Sequence, residues 1–360
     1  MSQLSVPPST KGERIYTIGA KVFLLGEYAV LSHLPAVVAA IPPRFSLRVG
    51  GEANQQKPFS TSLPVPLERL RVWVQQTAER FPKSDFVFPD LIFSNLVFND
   101  PFEGQGGFGA SSAQFALGYA ACSRFLETLL PELFPDNKIR HWKTVWNLYR
   151  ELMAFPVSDP SYSVNSKQVL PSGADLVAQW QGGVTFFDPS DGHCQDVWPL
   201  FDWSNLLVFS ATHQSGRKVA THEHLDQLYR TGFPQNAQRW LGLLEKKLIL
   251  GIQAIQNNDP AKFGQSLNDY AEILFQEGLE APATTEDRKF LKSLPGVLGV
   301  KGTGALQSDG IVVFLGSSNR NSANRTSNKD QVIHAVRERG LSLLCDGLTC
   351  EMGVACQTLT

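Results

Sequence analysis

Hydrophobic and polar positions change period along the chain, and each change marks an element. From Arg14 to Leu31 the string RIYTIGAKVFLLGEYAVL is apolar and punctuated by Gly19 and Gly26, with VVAAI and FSLRVG behind it. Such runs predict a β layer of short strands joined by hairpins. The string GEANQQKPFSTSLP (51–64) predicts a polar loop, 66–80 carries a helix period, and LIFSNLVF (91–98) predicts strand. A helix is expected over 111–130, apolar nearly all round (Phe115, Leu117, Tyr119, Cys122, Phe125, Leu126), and so buried. A further helix at 139–153 precedes a Ser/Pro-rich loop, the turn PSGADL and the strand GGVTFFD.

The second half opens with the strand NLLVFSAT (205–212). Trp240, Leu244, Leu248, Ile252 and Ile255 then recur at helical steps within 235–276, and Asn258-Asp259-Pro260 divides that stretch into two helices. Strands are expected at 296–304 and 309–316, a helix at 328–339 and a last strand at 341–346. Without regular βαβ alternation the pattern is α+β. A boundary near 195–204 would divide the chain into lobes 1–200 and 201–360.

Composition narrows the function classes. At 360 residues, 42% hydrophobic and 18% charged, the chain has ample core for two lobes. Its 32 basic and 34 acidic residues give a net charge of −2, so no global field draws in nucleic acid or anionic lipid. A local basic pocket for an anionic substrate stays open. The five cysteines (122, 194, 345, 350 and 356) match no zinc spacing and read as reduced thiols of a cytoplasmic protein. MSQLSVPPSTKGER lacks the apolar core of a signal peptide, and no apolar run is long enough to span a membrane. Nothing in the sequence bears on oligomeric state.

The sharpest local chemistry is GQGGFGASSA at 104–113. Its glycines let backbone approach a ligand closely, and Ser111 and Ser112 stand where a helix begins. The orphan N–H groups and positive dipole end there suit phosphate. A serine hydroxyl at that place can also ligate Mg²⁺. Gly104, Gly106 and Gly109 match the dinucleotide fingerprint in spacing, but NDPFE separates them from the preceding strand, and Glu127 falls inside a helix. No P-loop string occurs. A serine-capped packing loop is the alternative. Lys21, in an apolar strand, either snorkels to the surface or faces an anion. Asp175 in PSGADL would sit at the tip of a tight turn, which on its own is common.

Taken in order, these segments resemble the signature of the GHMP kinases (galactokinase, homoserine, mevalonate and phosphomevalonate kinases). GAKVFLLGEYAVL (19–31) is similar to the family's N-terminal G-K-x-x-L-x-G-E-[HY]-A-V stretch, and GFGASSA to its phosphate loop G-L-G-S-S-A. PSGADL resembles the loop of the catalytic aspartate, and VKGTGALQSDGIVVFL (300–315) the C-terminal K-x-[ST]-G-A-G-G-G-D-x-G-I motif. The matches sample nearly the whole chain. Tyr28, Asp309, and Val164 where mevalonate kinases carry a magnesium-binding Glu lean toward phosphomevalonate kinases.

The resemblance implies a two-lobed α+β GHMP kinase fold, with an N-terminal lobe like ribosomal protein S5 domain 2 and a ferredoxin-like C-terminal lobe. It implies ATP and Mg²⁺, and transfer of the γ-phosphoryl group to phosphomevalonate. Mevalonate or another small hydroxy acid or sugar is the alternative acceptor, and a catalytically silent binding protein the alternative of another class. Asp175 and Lys21 would be catalytic. Gly106, Gly107, Gly109, Ala110, Ser111 and Ser112 would line the nucleotide, with Ser111 (or Ser112) on the metal. Glu27, Tyr28, Ser172, Gly173, Arg217, Lys218, Lys301, Thr303 and Gly304 would face the acidic substrate. Gly304-Ala305-Leu306-Gln307-Ser308-Asp309 departs from the last motif: side chains replace glycines, so the loop either narrows the pocket or takes another backbone path.

Overall fold

The computed structural model describes residues 13–50, 63–80, 93, 96–103, 107–129, 141–156, 168–210, 221–316, 328–349 and 353–358. The first half runs β1 (Arg14–Leu25), β2 (Ala36–Val49), α1 (Val65–Glu79), β3 (Leu96–Asn99), α2 (Ala110–Leu129), α3 (Trp142–Leu152), the short pair β4 (Phe155–Pro156) and β5 (Gln168–Val169), α4 (Ala174–Gln181), β6 (Val184–Asp188) and β7 (His193–Asp196). The second half runs β8 (Leu206–Ser210), α5 (Thr221–Arg230), α6 (Gln238–Gln256), α7 (Pro260–Gln276), α8 (Pro282–Lys292), β9 (Val297–Thr303), β10 (Gly310–Leu315), α9 (Asn328–Glu338), β11 (Ser342–Asp346) and β12 (Ala355–Thr358).

Two antiparallel sheets organise these elements. The first has the order β12-β1-β2-β6-β7, with β3 also on β2; the second is β11-β8-β10-β9. Strands β1 and β2 have 12 and 14 residues, longer than the short hairpins the sequence predicts. A register shift lets them run on. Gly19 pairs with Arg44 but Ala20 pairs with Ile41, so Pro42 and Pro43 stand outside the ladder they cannot donate to. Lys21 follows directly after this bulge.

Helix α2 lies where its all-round apolar surface requires. Phe115, Leu117, Tyr119 and Cys122 are fully buried. The helix packs on β1 and β2 and against α1, where Gly118 admits Leu67 and Leu70. Phe125 falls outside the described side chains. Of the strand expected at 91–98, Leu96 onward is extended, while Phe93 is helical. The structure also holds three helices that the periodicity did not predict, α4, α5 and α8. Helix α4 stands where a turn was expected, α5 spans Thr221–Arg230, and α8 is a polar segment whose N-cap, Ala281, offers no side-chain bond.

Helix α7 joins the two sheets. Its Gly264 lies against Gly299 of β9 so closely that a Cβ on Gly299 would stand 2.6 Å from the Gly264 carbonyl oxygen. Asn268 then treats the outer edge of β9 as a neighbouring strand would. Its Nδ2 donates to the Leu298 carbonyl (2.8 Å), and its Oδ1 accepts from the Val300 N–H (3.1 Å). Two residues on, the Tyr270 hydroxyl donates to the Glu27 carbonyl at the end of β1 (2.8 Å). One helix thus positions both the start of the Glu27–Tyr28 segment and the strand carrying Lys301 and Thr303. Asn268→Leu leaves a strand N–H and a carbonyl unpaired in a buried place. It is expected to lower stability by about 2–4 kcal/mol, read as a lower urea midpoint at unchanged slope.

Candidate functional site

The loop into α2 is held from below by Phe108. This ring is buried and stacked on Phe102, with centroids 4.5 Å apart. Its carbonyl accepts the Lys21 N–H (3.0 Å), which ties the loop to β1. Gly107 and Gly109 flank it at φ 89° and 90°, the left-handed region that disfavours side chains. Space forbids side chains too. A Cβ on Gly109 would stand 2.9 Å from Lys21 Cγ and from Gln179 Nε2, and one on Gly107 would strike Asp309. Gly106, also expected in this loop, lies outside the described residues.

At the helix start the two serines separate. Ser112 is fully buried; its hydroxyl lies 2.7 Å from Gln179 Oε1 and 3.0 Å from the Gly109 carbonyl oxygen, the two acceptors within its reach. Ser111 is exposed in the first turn, beside the half-buried Ala110, and that turn contains no acidic residue. An anion arriving here meets free N–H groups and the positive end of a 20-residue helix.

Lys21 lies at the same place. Only 8% exposed, its ammonium sits 4.9 Å from the centroid of the Phe23 ring and, among the described residues, has no hydrogen-bond or ion-pair partner. A buried cation without a counter-ion is costly, and a bound anion removes the cost. No ion pair links it to Asp175.

Asp175 stands in the first turn of α4, not at a loop tip as the sequence predicts. Ser172 and Gly173 form the entry. The Ser172 carbonyl accepts from Trp146 Nε1 (2.8 Å), and Gly173, at φ 70°, has the Trp146 ring where a Cβ would lie. The half-exposed carboxylate accepts from the Leu176 N–H (2.9 Å). Burial, and then the negative charge of Asp175, push the nearby Tyr149 phenol well up. One turn later comes Gln179, fully buried and overlooked by the sequence reading.

A second cluster gathers at the end of β1. Glu27 and Lys301, expected to face substrate, face each other. Lys301 Nζ lies 2.7 Å from both Glu27 carboxylate oxygens, 2.5 Å from the Gly302 carbonyl and 3.2 Å from Gln307 Oε1. The ammonium is fully buried and its donors are saturated. Burial lowers its pKa, Glu27 opposes that shift, and the like charge of Lys21 adds a small downward push. Tyr28, at φ 61°, accepts from the Leu306 N–H (3.0 Å) and hydrogen-bonds His224 Nε2 (3.0 Å). Thr303 Oγ1 is buried and, among the described residues, without a partner. Arg217 and Lys218 lie outside the described residues.

The altered last loop keeps a glycine-like path. Leu306 and Gln307 sit at φ 50° and 57°, so both carry side chains on left-handed backbone. Gln307 turns inward to Lys301. Gly304 stays glycine for a steric reason, since a Cβ there would strike Asp309. The Asp309 carboxylate accepts from the Ala305 N–H (3.1 Å) and packs between Gly304 and Gly107, so the two loops meet across it.

No family model and no curated protein matches the sequence. Solved structures do match its fold. The Lin0012 protein of Listeria innocua aligns over 96% of this chain and 99% of its own at TM-score 0.67 and 14% identity. Streptococcus pneumoniae phosphomevalonate kinase aligns over the same shares at TM-score 0.63 and 16% identity, and has also been crystallised with phosphomevalonate and AMPPNP. Lactococcus lactis galactokinase in complex with galactose aligns over 96% and 95% at TM-score 0.63 and 12% identity. The chain therefore has the two-lobed α+β GHMP kinase fold.

Two outcomes follow for the second cluster. Lys301→Met strands the Glu27 carboxylate and is expected to cost about 3–5 kcal/mol, whereas adding Glu27→Leu recovers most of it; paired denaturation curves test this. Burial also holds the His224 imidazole below its usual 6.5. As pH falls past that value the unfolded chain protonates first, so stability drops until the folded protein protonates too. In His224→Phe that slope should flatten in thermal melts taken from pH 7 to pH 5.

Proposed function

We propose that this chain is an ATP-dependent small-molecule kinase of the GHMP type, with phosphomevalonate as its acceptor. The observation that carries the reading is Lys21, only 8% exposed and, among the described residues, without an ion-pair partner, tied through its own N–H to the glycine loop that opens α2. That arrangement supplies what a triphosphate needs: backbone donors, a helix N-terminus and a cation in a low-dielectric place. The kinases among the solved structures of this fold support it.

In this reading the phosphates of ATP lie along Gly107, Gly109 and Ala110, with Gly106 before them. Ser111 would hold Mg²⁺, since Ser112 is occupied in the interior. Among the described residues no group of three acidic, His or Cys side chains could hold a metal alone, so phosphate oxygens and water would complete its shell. The bound ion would screen phosphate charge. Asp175 would orient the acceptor oxygen and take any proton it carries; that oxygen, a phosphate oxygen in phosphomevalonate and a hydroxyl in the alternative acceptors, bonds the γ-phosphorus as the bond to the bridging oxygen breaks and ADP leaves. Lys21 offsets the charge that accumulates. Thr303, with its unused hydroxyl, and Gly304 would contact the acceptor. Arg217 and Lys218 would grip its anionic end, because Lys301 has no donor to spare.

One observation favours a second reading, the same chemistry on a different acceptor. Lys301 is closed off by Glu27 and Gln307, so the site offers fewer cations than the motif implies. ADP release with Mg-ATP across phosphomevalonate, mevalonate, homoserine and galactose separates the two. Turnover on phosphomevalonate that falls about 10²–10⁴-fold in Asp175→Asn is the expected outcome. Preference for another acceptor selects the second reading. ATP binding without turnover on any of them identifies a silent binding protein, and absence of ATP binding overturns the kinase reading.

A further inference from the structure

One buried amide touches three segments of the candidate site at once. Gln179 Nε2 donates to the carbonyl of Gly19 (2.9 Å), two residues before Lys21, and to the carbonyl of Gly109 (3.3 Å). Its Oε1 accepts from the Ser112 hydroxyl (2.7 Å). The side chain has no exposure, both of its amide hydrogens are used, and its oxygen accepts one hydrogen bond. It stands one turn after Asp175, and residues four apart share a helix face. Two carbonyls opposite one nitrogen fix which end of the amide is which.

The Gly109 carbonyl also accepts the helix bond from the Ala113 N–H (2.9 Å). All of these donors pull that oxygen inward. A trans peptide sets its N–H opposite its C=O, so the N–H of Ala110 points away from Gln179, out of the interior. Gly109, at φ 90° and without a side chain, is the residue at which this peptide could turn over at low cost. A turned peptide would present an oxygen to the phosphates in place of a donor.

We propose that Gln179 is a positioning residue that locks the Gly109–Ala110 peptide with its N–H toward the nucleotide phosphates and holds the strand leading to Lys21 against the same loop. The inference rests on the kinase reading above. It requires glutamine: a carboxylate of the same shape would face two carbonyl oxygens with no hydrogen to offer, and asparagine is one methylene short.

The test compares Gln179→Glu and Gln179→Met with the unaltered chain, measuring ATP binding by calorimetry, KM for ATP and for the acceptor separately, and urea midpoints. In both Gln179 variants the ATP dissociation constant and KM for ATP should rise about tenfold, the loss of one hydrogen bond to a charged group, while KM for the acceptor stays within about twofold. Should Gln179→Glu fail to fold, Gln179→Met carries the comparison. Unchanged ATP affinity in a folded Gln179 variant overturns the inference. So does an equal loss for ATP and acceptor in step with a lower urea midpoint, which is the mark of a purely structural role. An unaltered chain that binds no ATP brings down the kinase reading itself.

Discussion

A lysine ammonium with no access to water must have every N–H met, and around Lys301 this requirement sets the spacing of the two sheets. Both oxygens of Glu27, the Gly302 carbonyl and the Gln307 amide converge on it. Glu27 lies two residues past β1 of the first sheet and Lys301 belongs to the edge strand of the second, so the pair fastens one to the other. Helix α7 stands over the junction, gripping the Glu27 carbonyl through Tyr270 and strand β9 through Asn268. Burying such a pair adds little net stability, because desolvation consumes most of the attraction; what it contributes is a single allowed arrangement.

The last loop carries side chains on a backbone that ordinarily favours glycine. A non-glycine residue in left-handed backbone costs on the order of 1–3 kcal/mol unless its surroundings hold it there. Both are held here. The Leu306 N–H is fixed by the Tyr28 hydroxyl, and the Gln307 side chain is drawn to Lys301, while its carbonyl accepts from Thr284 (3.0 Å). Where no such support could help, glycine remains: Gly304 and Gly107 both make room for Asp309. Substitution and compensation therefore lie within one network, with Lys301 at its centre.

Much of this was legible in the sequence wherever a period was long. The buried helix α2 and the α6–α7 pair lie within a few residues of their expected ends, since one face or the whole surface of each is apolar over several turns. Shorter or more polar elements were harder to read. PSGADL looks like a turn because Ser-Gly dominates it, yet the helix starts at Ala174 and takes Asp175 into its first turn. In α4 both Gln179 and Gln181 are polar letters among apolar ones, and nothing in the sequence says which of them turns inward to meet carbonyls. Glu27 and Lys301 carry motif positions, but a partner 274 residues away cannot be seen in one sequence. Ser111 and Ser112 are indistinguishable as letters. Only the turn of the helix sends one inward and the other out.

The outermost strand of the first sheet, β12, pairs along the opening of β1, with Arg14 opposite Thr358 and Thr17 opposite Ala355. Arg44 of β2 also donates to the Gly353 carbonyl (2.7 Å). During synthesis the segment bearing Lys21 therefore leaves the ribosome early but waits for its neighbour until the whole second sheet has been made. The sheet that carries Lys21 is therefore not completed by the first half of the chain alone. Its edge closes last, a long-range contact of the kind that slows folding and leaves a strand exposed meanwhile.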